Sequence, residues 1–389
     1  MVQALAWTAL FSGAFSSAFF TVAVGAAWVL FGRRRPPRGK AARALPPVTI
    51  LKPLKGKDSD LYGNLTSFLD QEYPLTQVIF CLDSEQDPAL PVAERLRAER
   101  PSRDVSVVVS GRRIGCNPKI NNLANAYPLV KHGLILISDS DVRVAPDFLA
   151  RTARAFDDPR VGLASAFYRT PATGGLIATL EALAINAQYL PQALTAGAFG
   201  MRFTMGAAVL VRKDVFDRTG GFANLADHIA DDYNLGEAVR KEGFLVEFSE
   251  AVVETLPGSR DFGAHLRHQI RESRVIRLCQ PAGYFGLFLL HSLSLLTLAA
   301  LWAPSRLILW AFAAVWAVRA AAVALVARQV GGRAELLSLA LLPVSDWVAF
   351  ASWILGFGSN RVLWRGVVYS IQANGKLTPI RPSLEVPAA

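Results

Sequence analysis

The run Leu134-Ile135-Leu136-Ile137-Ser138-Asp139-Ser140-Asp141 constrains this chain more than any other stretch. Four apolar residues in a row end abruptly in two acids spaced Asp-x-Asp. A short apolar run bounded by polar residues reads as a strand buried on both faces, as in an α/β sheet. The acids then sit at its carboxyl end, the edge where open α/β sheets take their ligands. Alternate residues of an extended strand point the same way, so Asp139 and Asp141 can face one ligand. Two hard carboxylates suit a divalent cation that carries a diphosphate. A solvated acidic turn would use the same letters, so the rest of the chain has to decide.

Hydrophobic residues make up 52% of the 389, and the mean hydropathy is positive, too apolar for a fully soluble protein. They concentrate at the two ends. Residues 4–31 carry no charge, and residues 284–303, 307–327 and 336–358 are similar. A bilayer core of about 30 Å needs about 20 helical residues, and each segment is long enough. The first reads as a signal-anchor (residues 1–32) with an outward N-terminus, because Arg33, Arg34, Arg35, Arg38, Lys40 and Arg43 follow it in a basic linker, residues 33–47. That rule places the next domain in the cytoplasm. The net charge of +10 is then a membrane feature rather than a nucleic-acid one, since much of the excess lies beside apolar spans. Cys81, Cys116 and Cys279 have no metal-ligand spacing and cannot all pair, which fits a reduced, cytoplasm-facing domain.

The middle of the chain alternates between two periods. Strands are expected at 48–51, 77–82, 105–110 and 134–138, and helices at 61–71, 91–99 and 121–127. This βαβ alternation argues for a mostly parallel sheet with helices on both faces. Further on, residues 176–190 and 231–240 suit helices and 203–211 a strand. Residues 262–278 interleave Leu266, Ile270, Val275 and Ile276 with Arg267, His268, Arg271, Arg274 and Arg277. A basic amphipathic helix just before a span should lie in the membrane interface. Arg319 and Asp346 fall inside apolar spans, where a lone charge costs roughly 2.5–3.5 kcal/mol. They can pair with each other or line a lipid path. Four full crossings would put the basic tail (Arg361, Arg365, Lys376, Arg381) outside. A re-entrant segment at 336–358, broken at Pro343, would return it.

Four clusters line up along the domain: Lys52-Pro53-Leu54-Lys55-Gly56, Asp83, Asp139-Ser140-Asp141, and Ala230-Asp231-Asp232-Tyr233. With Asn117-Pro118-Lys119-Ile120-Asn121-Asn122-Leu123 and Arg212-Lys213-Asp214-Val215 before Gly220-Gly221, the chain resembles the inverting family 2 glycosyltransferases. Within them it is most similar to the ceramide glucosyltransferase branch, which includes hopanoid-associated bacterial relatives. The resemblance runs from about residue 48 to 277. It implies a GT-A nucleotide-sugar-binding domain at 48–261, an interfacial helix at 262–280, a C-terminal transmembrane region at 281–360 and a basic tail at 361–389.

The resemblance also implies roles. Asp83 would hold the uridine of a UDP-sugar, with Lys52, Pro53, Lys119 and Asp139 on the donor side. Asp139 and Asp141 would carry Mg²⁺ or Mn²⁺, neutralising the departing UDP. Asp232 maps to the general base, with Asp231 as its rival. Asn121 and Asn122 would cap the following helix. The family's closing Gln/Arg-x-x-Arg-Trp motif reads His268-Gln269-Ile270-Arg271-Glu272 here. Arg271 matches and would pair with the leaving diphosphate, whereas Glu272 replaces the Trp and adds negative charge beside it. Gly206 and His268 are expected on the acceptor side. The implied reaction moves one sugar from a UDP-sugar to a membrane-lipid hydroxyl. UDP-glucose with ceramide comes first, UDP-N-acetylglucosamine with a hopanoid polyol second. A processive polysaccharide synthase should need more spans. A non-catalytic membrane scaffold is the reading Glu272 would favour.

Overall fold

The computed structural model describes residues 2–32, 45–259, 261–364, 367–372 and 375–380. The basic linker residues Arg33 to Arg35, Arg38, Lys40 and Arg43, and the tail residues Arg365 and Arg381, lie outside the described residues.

Strands β1 (Val48–Pro53), β2 (Thr76–Leu82), β3 (Asp104–Val109) and β4 (Leu134–Ser138) lie parallel in the order β3-β2-β1-β4. After the short β5 (Val142–Arg143) come β6 (Val161–Ser165), β7 (Tyr168–Arg169), β8 (Ala208–Arg212), β9 (Leu245–Phe248) and β10 (Val253–Thr255). The main sheet continues as β4-β8-β6-β9, with β8 antiparallel to both neighbours. The small sheet β5-β10-β7 flanks it.

Period-two alternation divides the core. Ile50, Phe80 and Leu136 face one side and pack with Leu65, Phe68 and Leu96 of two covering helices. Leu51, Ile79, Ile135 and Ile137 face the other and pack with Ile120, Leu123, Leu235 and Val239. Each fully buried aliphatic side chain contributes about 1.5–3 kcal/mol. A one-residue slip would exchange whole faces, so both sides hold the register. That register brings the ends of β1, β2 and β4 to one edge.

The helix expected at 121–127 begins earlier, at Pro118–Ala126. Asn117, not Asn121 or Asn122, is its cap: its Oδ1 accepts from the Lys119 and Ile120 amides at 2.9 and 3.2 Å, and Pro118 fills the first turn. Asn121 Oδ1 instead accepts from Ile114 and Gly115, and Asn122 Nδ2 donates to Leu54 O at 3.4 Å. The helix expected at 176–190 passes through a wide π turn at Ala184–Tyr189 and continues to Ala198.

Among the described residues, two helices are long and apolar enough to cross a membrane, residues 3–32 and Arg306–Gln329. The segment expected as one span at 284–303 is bent by 52° between Pro281–Leu290 and Ser292–Trp302. The segment at 336–358 divides into Leu336–Ala340 and the 15-residue Leu342–Gly356. Arg319 and Asp346 do pair, at 4% and 0% side-chain exposure. Asp346 Oδ2 also accepts from the amide and hydroxyl of Ser294 at 2.9 and 2.8 Å. Ser294 lies in the first turn after the bend, where amides lack helical partners. Arg319 further lies over the Phe20 ring at 4.8 Å. One buried carboxylate thus ties the bent helix and its two neighbours together.

The described residues of the basic tail include three strands. Strands β11 (Arg361–Trp364), β12 (Val367–Ile371) and β13 (Leu377–Pro379) form an antiparallel sheet. Its Val362, Tyr369, Ile371 and Leu377 pack on Cys116, Ile229, Val275 and Leu278. All three cysteines are free thiols.

Candidate active site

β4 delivers Asp139 and Asp141 to the sheet's carboxyl edge, β2 delivers Asp83, and the Pro118–Ala126 helix brings Lys119 up beside them. Lys119 Nζ lies 2.7 Å from Asp139 Oδ1 and 3.4 Å from Asp231 Oδ2. Burial pulls this amine down, but Asp139 and Asp231 outweigh it and hold it above its ordinary pKa. One ammonium therefore joins the Asp-x-Asp turn to the start of the Asp231–Lys241 helix across the site. Asp231 is held from its other side by Asn117 Nδ2 at 3.2 Å.

Asp232 follows in the first helical turn. Lys119, Gly206, Asp231 and Asp232 border a narrow crevice whose floor is core, including Ile120, Ile137, Val209 and Leu235. Burial, reinforced by Asp231 and opposed by Lys119, pushes the Asp232 carboxyl up to about 7. Gly206 is the close neighbour: a Cβ there would stand 3.0 Å from Asp232 Oδ2. A carboxylate that accepts a proton near neutrality, at the carboxyl edge of the sheet, has the properties a general base needs.

Burial, then Asp139 and Asp58, likewise push Asp141 up to about 7. Ser140 Oγ donates to Asp58 Oδ2, so a third acid crowds this turn, one the sequence reading passed over. Such like-charge crowding is what a bound cation relieves. Among the described residues no group of three or more His, Cys, Asp or Glu side chains forms a metal cage. Two carboxylates suffice for Mg²⁺ or Mn²⁺ when substrate phosphates and water complete the shell, so Asp139 and Asp141 fit such an ion.

Two of the expected donor-side residues are interior. Lys52 is fully buried: its Nζ donates to Ser138 Oγ at 3.3 Å and to Asp139 O, and lies 3.7 Å above the Phe68 ring. Burial, only partly offset by Asp139 and Asp141, lowers it to about 7. Pro53 is buried at the end of β1, paired with Cys81. Lys52 thus supports the acidic turn from beneath, and Pro53 lies against β2. The exposed lysine there is Lys55, whose Nζ lies 2.8 Å from Asp83 Oδ1 and 3.5 Å from Asp87 Oδ2.

The Phe262–Cys279 helix forms as expected, capped by Asp261 Oδ1, which accepts from Ala264 N at 2.7 Å. Arg271 is not free: its Nε and Nη2 lie 3.1 and 2.9 Å from Glu272 Oε1, and Nη2 lies 3.2 Å from His268 Nδ1. Burial raises Glu272, but Arg271 and His268 outweigh it and hold the carboxyl below its usual range. Where the family motif has a Trp, this chain has an ionised partner for its own arginine. Tyr168 and Tyr189 are stacked at 4.9 Å. Burial raises both hydroxyls; Tyr189 raises Tyr168 further, whereas the hydrogen bond from Tyr168 lowers Tyr189, and the charges of Asp232 and Glu272 add to the rise of both. Neither tyrosine was singled out in the sequence. The π turn that presents Tyr189 has no sequence signature.

Comparisons with known proteins bear on this site. The profile described as Glycosyl transferase family 21 matches residues 9–377. Ceramide glucosyltransferase 1 of Caenorhabditis elegans is 28% identical over 200 residues, 51% of this chain and 43% of that protein. Ceramide glucosyltransferase 3 of the same organism is 29% identical over 206 residues, 53% and 45%. The ceramide glucosyltransferase of Komagataella phaffii is 39% identical over 114 residues, 28% and 22%. The matched stretch thus spans less than half of each of these relatives. Among solved structures, a mannosyltransferase from Pyrobaculum calidifontis in complex with GDP-Man and Mn²⁺ superposes with a TM-score of 0.51. It is 18% identical and covers 90% of this chain and 98% of its own, a likeness of fold.

Proposed function

This chain belongs to glycosyl transferase family 21, and from that premise we propose that it moves one glucose from UDP-glucose to ceramide with inversion. The observation that carries the proposal is the Lys119 bridge, whose ammonium touches Asp139 of the acidic turn and Asp231, the residue before Asp232. The ceramide glucosyltransferases among the relatives support glucose as the sugar and ceramide as the acceptor. The fold neighbour's Mn²⁺ supports a divalent ion.

In this reading Asp83 holds the uridine, and the diphosphate lies over Asp139 and Asp141. A bound Mg²⁺ or Mn²⁺ would neutralise charge on the leaving UDP. Lys119, released from Asp139, turns to the diphosphate. Asp232 takes the proton of the ceramide primary hydroxyl as its oxygen attacks the anomeric carbon from the face opposite UDP. The glycosidic electron pair leaves with UDP, and an α-linked donor gives a β-glucosyl lipid. Glu272 pairs Arg271 and sets how much positive charge that arginine lends to the diphosphate. The hopanoid and scaffold readings have no specific observation in their favour.

The membrane arrangement follows. β11–β13 packs on the same α/β core that follows the first span. Residues between 280 and 361 therefore cross an even number of times. The bent pair and Arg306–Gln329 make two crossings, and Leu342–Gly356 returns without crossing. The core and tail face the cytoplasm.

The direct test is transfer in detergent micelles with Mg²⁺ or Mn²⁺, UDP-glucose and ceramide, with mass spectrometry of the lipids. Hexosyl-ceramide is the expected product. Transfer only from UDP-N-acetylglucosamine to a hopanoid polyol would keep the mechanism and overturn the substrates. Gly206→Ala gives a sharper check. The added methyl pushes against the Asp232 carboxylate at 3.0 Å, and a shift well short of the roughly 1 Å that costs about 100-fold should lower kcat by about tenfold. UDP affinity, measured by calorimetry, should stay unchanged. A variant with wild-type kcat would separate Gly206 from the base.

A further inference from the structure

The C-terminal sheet closes on the two segments that carry the base and the bridging lysine. Leu377 N donates to Asp227 O at 2.7 Å, and Ile229 N donates to Gly375 O at 3.1 Å. His228 and Lys376 form an antiparallel bridge between these bonds. Tyr369 Oη donates to Cys116 O at 3.2 Å, and Cys116 N donates back to Asp227 Oδ1 at 2.9 Å. The next residue, Asn117, donates to His228 O at 2.8 Å as well as to Asp231. Residues 116–117 and 227–229 are thus held as one unit, and its backbone partners come from about 150 residues further along the chain.

This matters because buried backbone groups need partners, and Asp227 O and Ile229 N find theirs in the tail, while His228 N donates to Leu225 O and His228 O accepts from Asn117. Asp231 follows Ile229 by two residues, and Asp232 by three. Gly375 has φ +78, and a Cβ there would stand 3.3 Å from Cys279 Sγ, so the turn fits tightly against the end of the interfacial helix. The other end of the sheet is joined to the membrane bundle. Arg277 Nε donates to Gly356 O at 3.0 Å, and Arg274 Nη1 donates to Arg361 O at 2.6 Å.

We propose that β11–β13 is a positioning element for the general base. It fixes 227–229 so that Asp232 stands against Gly206, and it couples that placement to the helix Leu342–Gly356. The proposal rests on Asp232 being the base. Leu377, Tyr369 and Gly375 are positioning residues that touch no substrate.

The test uses the full chain in micelles. Leu377→Pro deletes the amide that reaches Asp227, Tyr369→Phe deletes one hydroxyl and keeps the packing, and Thr378→Ala on the exposed face is the control. Hydrogen exchange is read at the amides of 229–236, and kcat and donor KM are measured alongside. Leu377→Pro should speed exchange at 229–236 about tenfold while β1–β3 stay protected. It should lower kcat by about tenfold or more with donor KM unchanged, because misplacement acts on the reacting geometry. Tyr369→Phe should move both readings the same way by a smaller factor, and it carries the test if the proline variant does not fold. Faster exchange with unchanged kcat, or unchanged exchange in both variants, would overturn the proposal. Wild-type protein that transfers no sugar would sink the base assignment, and exchange would then judge the grip on 227–229 alone.

Discussion

Asp232→Asn is expected to lower kcat by about 10³-fold, within the range that a positioned general base contributes. UDP binding should be unchanged, because Asp83, Asp139 and Asp141 lie across the site. The wild-type profile of kcat against pH should rise through about 7, since the carboxyl must be ionised to accept a proton and burial with Asp231 holds it there. An ordinary aspartate would give an acid limb near pH 4. Stability should move the opposite way. The folded pKa lies above the unfolded one, so the folded state holds a proton that the unfolded state has released between about pH 4 and 7. Ionisation therefore weakens the fold progressively across that window, and the loss is complete above it. The asparagine variant removes that loss. Its Tm should exceed wild type at pH 8 and match it near pH 4. Asp231→Asn is the companion measurement: if it removes activity and Asp232→Asn does not, the base has been assigned to the wrong neighbour.

Asp346→Ala is expected to produce the largest loss of stability, about 3–5 kcal/mol, the usual result of stripping a buried charge of its partner. Three contacts go at once: the ion pair to Arg319 and the hydrogen bonds from the Ser294 amide and hydroxyl. Arg319 would remain charged among apolar helices, and the first turn after the 52° bend would lose its anionic cap. Thermal unfolding of the purified protein in micelles should show a drop of many degrees. The double variant Arg319→Met with Asp346→Leu should recover most of it, because an apolar pair of similar volume needs no partner. A single variant as stable as wild type would mean that water or detergent reaches Arg319.

The parallel part of the fold was legible because its strands are buried on both faces. A run such as Leu134 to Ile137 has no solvent side to dilute with polar residues, and the acid that ends it marks the sheet edge. Asp139 and Asp141 drew notice for the same reason, since they stand where the apolar run of β4 stops; Asp232, at the start of a helix, drew it through the family resemblance. Lys52 misled because a lysine at a strand end reads as exposed. Here Ser138, the Asp139 carbonyl and the Phe68 ring receive it inside. Lys55, three residues on, has the exposed position.

The tail misled in the opposite direction. Arg361, Lys376 and their basic neighbours drew notice only as a basic tail, yet Val362, Tyr369, Ile371 and Leu377 provide one apolar face. Strands this short are stable only when something covers that face, and the cover lies far away in the chain. The bend at His291 was likewise hidden, because an apolar segment of the right length reads the same straight or broken.

From sequence alone, periodicity determined the βαβ core, hydropathy determined the membrane-seeking ends, and residue order determined which acids could reach the sheet edge. These are local properties, set by side-chain period and length. Tertiary structure alone decided that Lys119 joins Asp139 to Asp231, that Asp346 finds Arg319 and Ser294, and that a C-terminal sheet holds the segment before Asp232. Each of these joins residues dozens to more than a hundred positions apart. Their partners are chosen by packing and by the need to satisfy buried polar groups, and no local pattern records that choice.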